Sequence, residues 1–184
     1  MPSVLVILAE GFEELEATAP ATILRRAQID VVMAGLAPGP VKGSRGVTIV
    51  PDATLESVAD RPFDAVVVPG GIPGTANLKK SELVAQVLKR AVARSAIIGA
   101  ICAGPSVLAA FGLLTGRCAT SHTSVRDELL AAKVEIVPDQ EVVEDGRIVT
   151  SRGAGTAVPF GLHLVRLLAG DAKLAEVRKG MMLG

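Results

Sequence analysis

Cys102 has the chemically most distinctive setting in this 184-residue chain. It follows the apolar run Ala96 to Ile101, too short for a helix of its own, and precedes Ala103, Gly104 and Pro105. Proline suits the first turn of a helix, so the shape expected here is strand, sharp turn, helix. Small residues at Ala100, Ala103 and Gly104 leave room for a strained turn that holds its central side chain out, a nucleophile elbow carrying sulfur. A thiol so placed faces the partly positive start of the next helix, and backbone N–H groups there can hold an anion formed at or near the sulfur. Both effects favour thiolate. A free cysteine of pKa about 8.5 is only a few per cent ionised at neutral pH, so each unit of depression, about 1.4 kcal/mol, multiplies the nucleophile nearly tenfold. The bland alternative is a small core hydrophobe, the usual fate of a free cysteine, and the elbow context argues against it.

An acid and a base can be set beside this sulfur. With Leu24 at the centre of the buried stripe of the helix expected over Glu13 to Ala27, Glu16 leans into the core, and Glu13 also points inward. Partial burial would raise the pKa of Glu16 and suit it to donate or shuttle a proton; the alternative is a first-turn acid that complements the helix dipole, the role given to Glu14. His122, in Ser121-His122-Thr123, falls at a strand-to-helix junction, where loop chemistry is usually placed. His163 sits within an apolar helix and reads as structural or superficial, and Cys118 reads as a buried thiol in a strand. The pair Gly70-Gly71 just past an apolar strand lets backbone approach a site closely. No Gly-Lys-Ser/Thr follows and no G-x-G-x-x-G opens a helix there, so a nucleotide cradle is disfavoured. The glycine loop Ser151 to Thr156 fits close packing better than phosphate binding.

The elements that must carry these residues alternate. Apolar strands are expected at Ser3 to Leu8, Ile29 to Ala34, Val47 to Val50, Phe63 to Val68, Ala96 to Ile101, Arg117 to Thr120 and Val134 to Ile136, with a hairpin about Asp145-Gly146. Helices are expected at 13 to 27, with Pro20 as a kink or the end of its first turn, and at 81 to 94, 105 to 114, 124 to 132, 156 to 168 and 173 to 179. Residues 35 to 46 read as loop. Strands interleaved with helices give an α/β fold with a mostly parallel sheet, whose reactive crevice lies at the carboxyl ends of the strands.

Composition narrows the partners. Hydrophobic residues make up 49% of the chain and mean hydropathy is +0.47, enough for one substantial core and short for two domains, so a single domain over 1–184 is expected. Formal net charge is zero, which leaves no electrostatic footprint for nucleic acid or an anionic membrane. There is no Trp or Tyr and only four Phe, so stacking platforms for bases or flavins are lacking. Two cysteines make no disulfide framework, and the short apolar run Val4 to Ala9 makes no signal or membrane segment; a reduced, cytoplasmic protein is expected.

Five stretches together carry a family resemblance: Leu8-Ala9-Glu10-Gly11-Phe12-Glu13-Glu14-Leu15-Glu16, Val68-Pro69-Gly70-Gly71, Ala100-Ile101-Cys102-Ala103-Gly104-Pro105, Thr120-Ser121-His122, and Thr150 to Thr156. They resemble the ThiJ/PfpI superfamily, most closely its parkinsonism-associated protein deglycase branch, over residues 3 to about 183. The resemblance implies a flavodoxin-like three-layer sandwich, akin to class I glutamine amidotransferase domains, and a homodimer. It implies Cys102 as the oxidisable nucleophile, Glu16 as the carboxyl bonded to its sulfur, and His122 as a nearby base not tightly paired with it. It further implies oxyanion or substrate-binding roles for Gly70, Gly71 and Ala103, and an anion pocket helped by Arg45. The peptidase branch places His directly after its nucleophile, where this chain has Ala103, and the amidotransferases use a late His-x-Glu that is missing after His122. The implied activity is cofactor-independent chemistry on a small 2-oxoaldehyde or a glycated protein or nucleotide, with redox sensing or holdase chaperoning at the same sulfur as the alternative.

Overall fold

The structure is a computed structural model and describes residues 1–183. In chain order its elements are β1 (Ser3–Leu8), α1 (Glu14–Arg26), β2 (Asp30–Gly35), β3 (Val41–Lys42), β4 (Thr48–Ile49), β5 (Ala53–Thr54), α2 (Leu55–Val58), β6 (Ala65–Val68), α3 (Gly74–Lys79), α4 (Glu82–Ala93), β7 (Ile97–Ile101), α5 (Pro105–Ala110), β8 (Cys118–Ala119), α6 (Arg126–Ala131), β9 (Glu135–Ile136), β10 (Val142–Asp145), β11 (Ile148–Ser151) and α7 (Ala157–Gly180). Short 3₁₀ turns cover Thr123–Val125 and Ala154–Thr156.

A seven-stranded sheet in the order β10-β11-β7-β6-β1-β2-β5 forms the middle layer, parallel throughout except where β10 folds back on β11. Strand alternation divides the core in two. Val4, Val6 and Leu8 of β1 face Leu24, Phe160 and Leu164 on α1 and α7, whereas Leu5 and Ile7 face the cluster of Leu78, Leu88 and Leu108 on α3, α4 and α5. Both faces are therefore covered, as a near-continuous apolar strand requires. α1 and α7 pack closely because Gly161 has no side chain: a Cβ there would lie 2.9 Å from Ile23 Cδ1 and 3.1 Å from the Pro20 Cα.

The sandwich expected from the sequence is present, with local corrections. The strand expected at Arg117 to Thr120 shrinks to β8 and leaves the main sheet, pairing only with β9. The presumed loop 35 to 46 contains β3, which pairs antiparallel with β4, and α3 forms where only a turn was foreseen. Pro20 does not interrupt α1, which is helical on both sides of it. The last two helices abut in α7 and are separated at Gly170, whose φ of 82° breaks the helix. Among the described residues, no helix is long and apolar enough to cross a membrane.

Candidate active site

The chain leaves β1 for β2 on one side and returns to β6 on the other, so a crevice opens where β1, β6 and β7 end. Three turns meet in it. Cys102 follows β7 with φ of 63°, a left-handed conformation that a cysteine adopts only when its surroundings hold it there. The holding groups are visible: the Cys102 N–H donates to Ser151 O at 2.9 Å, and its carbonyl accepts the His122 N–H at 2.9 Å. Below the turn, Gly104 N–H donates to Ile101 O at 2.8 Å and the buried Ser106 Oγ donates to Ala103 O at 2.7 Å. The elbow is thus fastened to its own strand, to the end of β11 and to the His122 turn.

Glu16 reaches this turn from the first turn of α1. Glu13 caps that helix, its Oε2 accepting the Glu16 N–H at 2.9 Å. The Glu16 side chain is almost fully buried and hydrogen-bonded to the Cys102 side chain; its Oε2 accepts the Gly70 N–H at 2.9 Å, and the Ala154 backbone N–H also bonds to the carboxyl. Burial, reinforced by the neighbouring Glu13, pushes its pKa up to about 7 against the pull of these hydrogen bonds. Gly70 can carry no side chain, since a Cβ there would lie 2.6 Å from Glu16 Oε2 and 2.8 Å from Cys102 Cβ.

For the sulfur the sequence-based expectation of a depressed pKa is corrected. Burial pushes the Cys102 thiol up, and the Glu16 carboxyl pushes it further, outweighing the Ala103 N–H that bonds the sulfur. The helix behind the elbow is only six residues long, too short to offset that. Two negative charges in a buried site repel strongly, so the pair carries one at most, and thiolate forms when the proton sits on Glu16.

A cavity of about 210 Å³ opens over the sulfur, lined by Cys102, Ala103, Gly71, His122, Glu13 and Arg45 among others. Cys102, Ala103, Gly71, His122 and Arg45 therefore come together as the sequence suggested, with Glu16 buried behind the sulfur. Gly70 does not line the cavity, because its N–H is spent on Glu16. The His122 Nδ1 accepts the Ser124 N–H at 3.2 Å and lies 2.8 Å from Ser124 Oγ, so a neutral ring carries its proton on Nε2. A larger depression of about 550 Å³, lined by Leu162, His163 and Leu174, contains neither Cys102 nor Glu16.

Residues 2–167 match the model of the DJ-1/PfpI family. The chain belongs to the DJ-1/PfpI family. It is 45% identical over 182 residues to protein dj-1beta of Drosophila melanogaster, covering 98% of this chain and 97% of that one, and the crystal structure of that protein superposes with a TM-score of 0.96 at 44% identity, covering 100% and 98%. It is 37% identical over 182 residues to the Caenorhabditis elegans glutathione-independent glyoxalase DJR-1.2, covering 98% and 96%. A solved structure named "Toxoplasma gondii DJ-1, oxidized" superposes with a TM-score of 0.92 at 32% identity, covering 99% and 98%.

Within this DJ-1/PfpI frame the structure adds residues that sequence reasoning missed. Glu14, dismissed as a dipole acid, is buried and accepts the N–H groups of Arg45 at 2.7 Å and Val47 at 3.2 Å, which holds the Arg45 loop over the cavity. Gly153 flanks the sulfur and His122, and Ala154 serves Glu16 through its backbone, a role no side chain announces. His163 is structural as expected, with Nε2 2.7 Å from Glu144 Oε2. Cys118 is not the buried thiol expected: it is half-exposed on β8, with a hydrogen bond to Glu135 that pushes its pKa up. Among the described residues, no group of three His, Cys, Asp or Glu is gathered for a metal ion.

Proposed function

We propose that this protein is a cofactor-independent, cysteine-dependent glyoxalase or deglycase that acts on methylglyoxal, glyoxal or their early glycation adducts and releases a 2-hydroxy acid. The observation that carries the reading is the buried Glu16 carboxyl, its pKa pushed up to about 7, bonded to the side chain of Cys102, which lines a small cavity. A relative named as a glutathione-independent glyoxalase along nearly its whole length supports it. The cavity volume of about 210 Å³ is roughly seven water-sized volumes, which suits a three-carbon aldehyde.

With the proton on Glu16, the Cys102 thiolate adds to the aldehyde carbon of methylglyoxal, forming the C–S bond while the carbonyl electron pair moves to oxygen. The Gly71 and Ala103 amides face that oxyanion, and protonation gives a hemithioacetal. A base, Glu16 once ionised or His122, then removes the proton from the carbon bonded to sulfur and returns it to the adjacent carbon, leaving a thioester of the 2-hydroxy acid. Water attacks the thioester, the C–S bond breaks, and lactate leaves with the thiol restored. Arg45 supplies the positive charge toward which the product carboxylate turns. The test is lactate formation from methylglyoxal without glutathione: wild type forms it and Cys102→Ser does not, whereas no lactate from wild type overturns the reading.

A second reading keeps the same sulfur as a redox sensor, and the relative solved in an oxidised form favours weighing it. Here peroxide takes the thiolate through sulfenate to sulfinate, gaining two oxygens, about 32 Da, which a protonated Glu16 and the Ala103 N–H would hold. Mass spectrometry after mild peroxide decides it, since a gain confined to Cys102 is required.

A further inference from the structure

Behind the sulfur lies a chain of hydroxyl groups that the mechanism above does not use. Thr156 Oγ1 is 2.6 Å from Ser151 Oγ, which is 2.8 Å from the Glu141 carbonyl, and both side chains are buried. The Gly153 N–H is 3.2 Å from Thr156 Oγ1, and the Gly153 carbonyl accepts the Thr156 N–H at 2.8 Å. Thr156 Oγ1 also lies 2.9 Å from the Gly153 carbonyl, so its O–H donates either there or to Ser151 Oγ, and in both arrangements it accepts the Gly153 N–H. Both backbone polar groups of Gly153 are thereby fixed by Thr156, and the next residue is Ala154.

We propose that Thr156 is a positioning residue, whose buried hydroxyl fixes the Gly153–Ala154 turn so that the Ala154 N–H is aimed at the Glu16 carboxyl beside Cys102. The proposal rests on Glu16 and Cys102 being the proton-handling pair of the reaction. The groups facing the Glu16 carboxyl are Cys102, Glu13 and the Gly70 and Ala154 amides, with the Arg45 and His122 side chains across the cavity. Loss of one N–H donor disfavours the ionised carboxyl, so Glu16 must hold its proton to higher pH.

The experiment is a ¹³C NMR titration of the Glu16 side-chain carboxyl, assigned with Glu16→Gln, in wild type, Thr156→Val and Thr156→Ser. It needs no turnover, so its result stands apart from that of the lactate assay. Thr156→Val, nearly the same shape without the hydroxyl, is expected to raise the midpoint by on the order of one pH unit, and Thr156→Ser to restore it. A folded Thr156→Val with an unmoved Glu16 midpoint overturns the proposal, as does a Thr156→Ser midpoint displaced as far as that of the valine variant. If Thr156→Val does not fold, Thr156→Ala, which also lacks the hydroxyl, must shift the midpoint the same way.

Discussion

The two cysteines have the same kind of neighbour in different settings. Cys102 and Cys118 each bond a glutamate side chain, Glu16 and Glu135, and in each the carboxyl pushes the thiol pKa up. Around Cys102, however, the carboxyl is almost fully buried, accepts a backbone N–H at 2.9 Å, and has its own pKa raised to about 7. Cys118 lies half-exposed on a two-residue strand outside the main sheet, and its backbone N–H donates to Asp145 Oδ2, at the end of β10, at 2.8 Å. A thiol–carboxyl pair becomes a proton-sharing pair only when burial makes one negative charge the limit and the backbone decides where it rests.

The comparison fails most visibly if the sulfurs are exchanged in importance. Cys102→Ser is expected to lower lactate formation from methylglyoxal by about three orders of magnitude or more, because the hydroxyl is not ionised by a group titrating near pH 7. Cys118→Ser is expected to leave the rate unchanged. Equal losses from the two variants, measured on the same day with the same substrate stock, would show that the buried pair has no special part.

Glu16→Gln keeps the shape of the site and removes its proton. The rate should fall by about 10² to 10⁴, the usual worth of a positioned acid or base. Stability should move the other way. The folded-state pKa of Glu16 is raised from 4.5 to about 7, so between those values the native protein holds a proton that the unfolded chain has released. Wild type therefore loses stability as pH rises through that window and the glutamine variant does not. Urea denaturation should find the two equal near pH 4.5 and the variant more stable at pH 8, by about 3 kcal/mol at most. No gain at pH 8 would mean that the native site stabilises the ionised carboxyl fully.

Much of this was legible in the residues. The elbow could be read because proline, glycine and alanine around Cys102 leave few other backbone paths, and Glu16 because helical phase puts it on the Leu24 side. Three acids in four positions at the start of α1 could not be sorted by type: Glu13 caps, Glu14 anchors the Arg45 loop and Glu16 meets the sulfur, and only tertiary neighbours distinguish them. The direction of the Cys102 shift was misjudged because desolvation depends on what closes over the sulfur, which local pattern does not show. Gly153 and Ala154 escaped notice because they act through backbone, and β8 was misplaced because the pairing of a two-residue strand is decided by distant chain.

Two glycines beside the pair give a smaller test. A methyl at Gly70 would lie 2.6 Å from Glu16 Oε2 and 2.9 Å from the Ala103 nitrogen, so Gly70→Ala must push carboxyl and elbow apart. It is expected to cost about 1–3 kcal/mol and at least tenfold in rate. A methyl at Gly153 would stand 3.9 Å from Cys102 Sγ and 4.0 Å from His122 Cδ2, ordinary contact distances. With φ of 165° any residue fits that backbone, so Gly153→Ala should fold within about 0.5 kcal/mol of wild type. Circular-dichroism melts of the two variants check the contrast, and equal destabilisation would place the crowding elsewhere.

The smallest effect belongs to the Cys118 side. Thr120, just beyond β8, is fully buried, and its Oγ1 has no hydrogen-bond partner among the described residues, whereas its N–H donates to Thr150 Oγ1 at 3.0 Å. An unpaired buried hydroxyl costs desolvation and returns nothing, so Thr120→Val should leave stability unchanged or raise it by up to about 1 kcal/mol. Thr156, on the Cys102 side, has every polar group engaged, and the same substitution there should destabilise. A urea midpoint for Thr120→Val below that of wild type would show that its hydroxyl does meet a partner, and the two sides of the site would then differ less than their hydrogen bonds indicate.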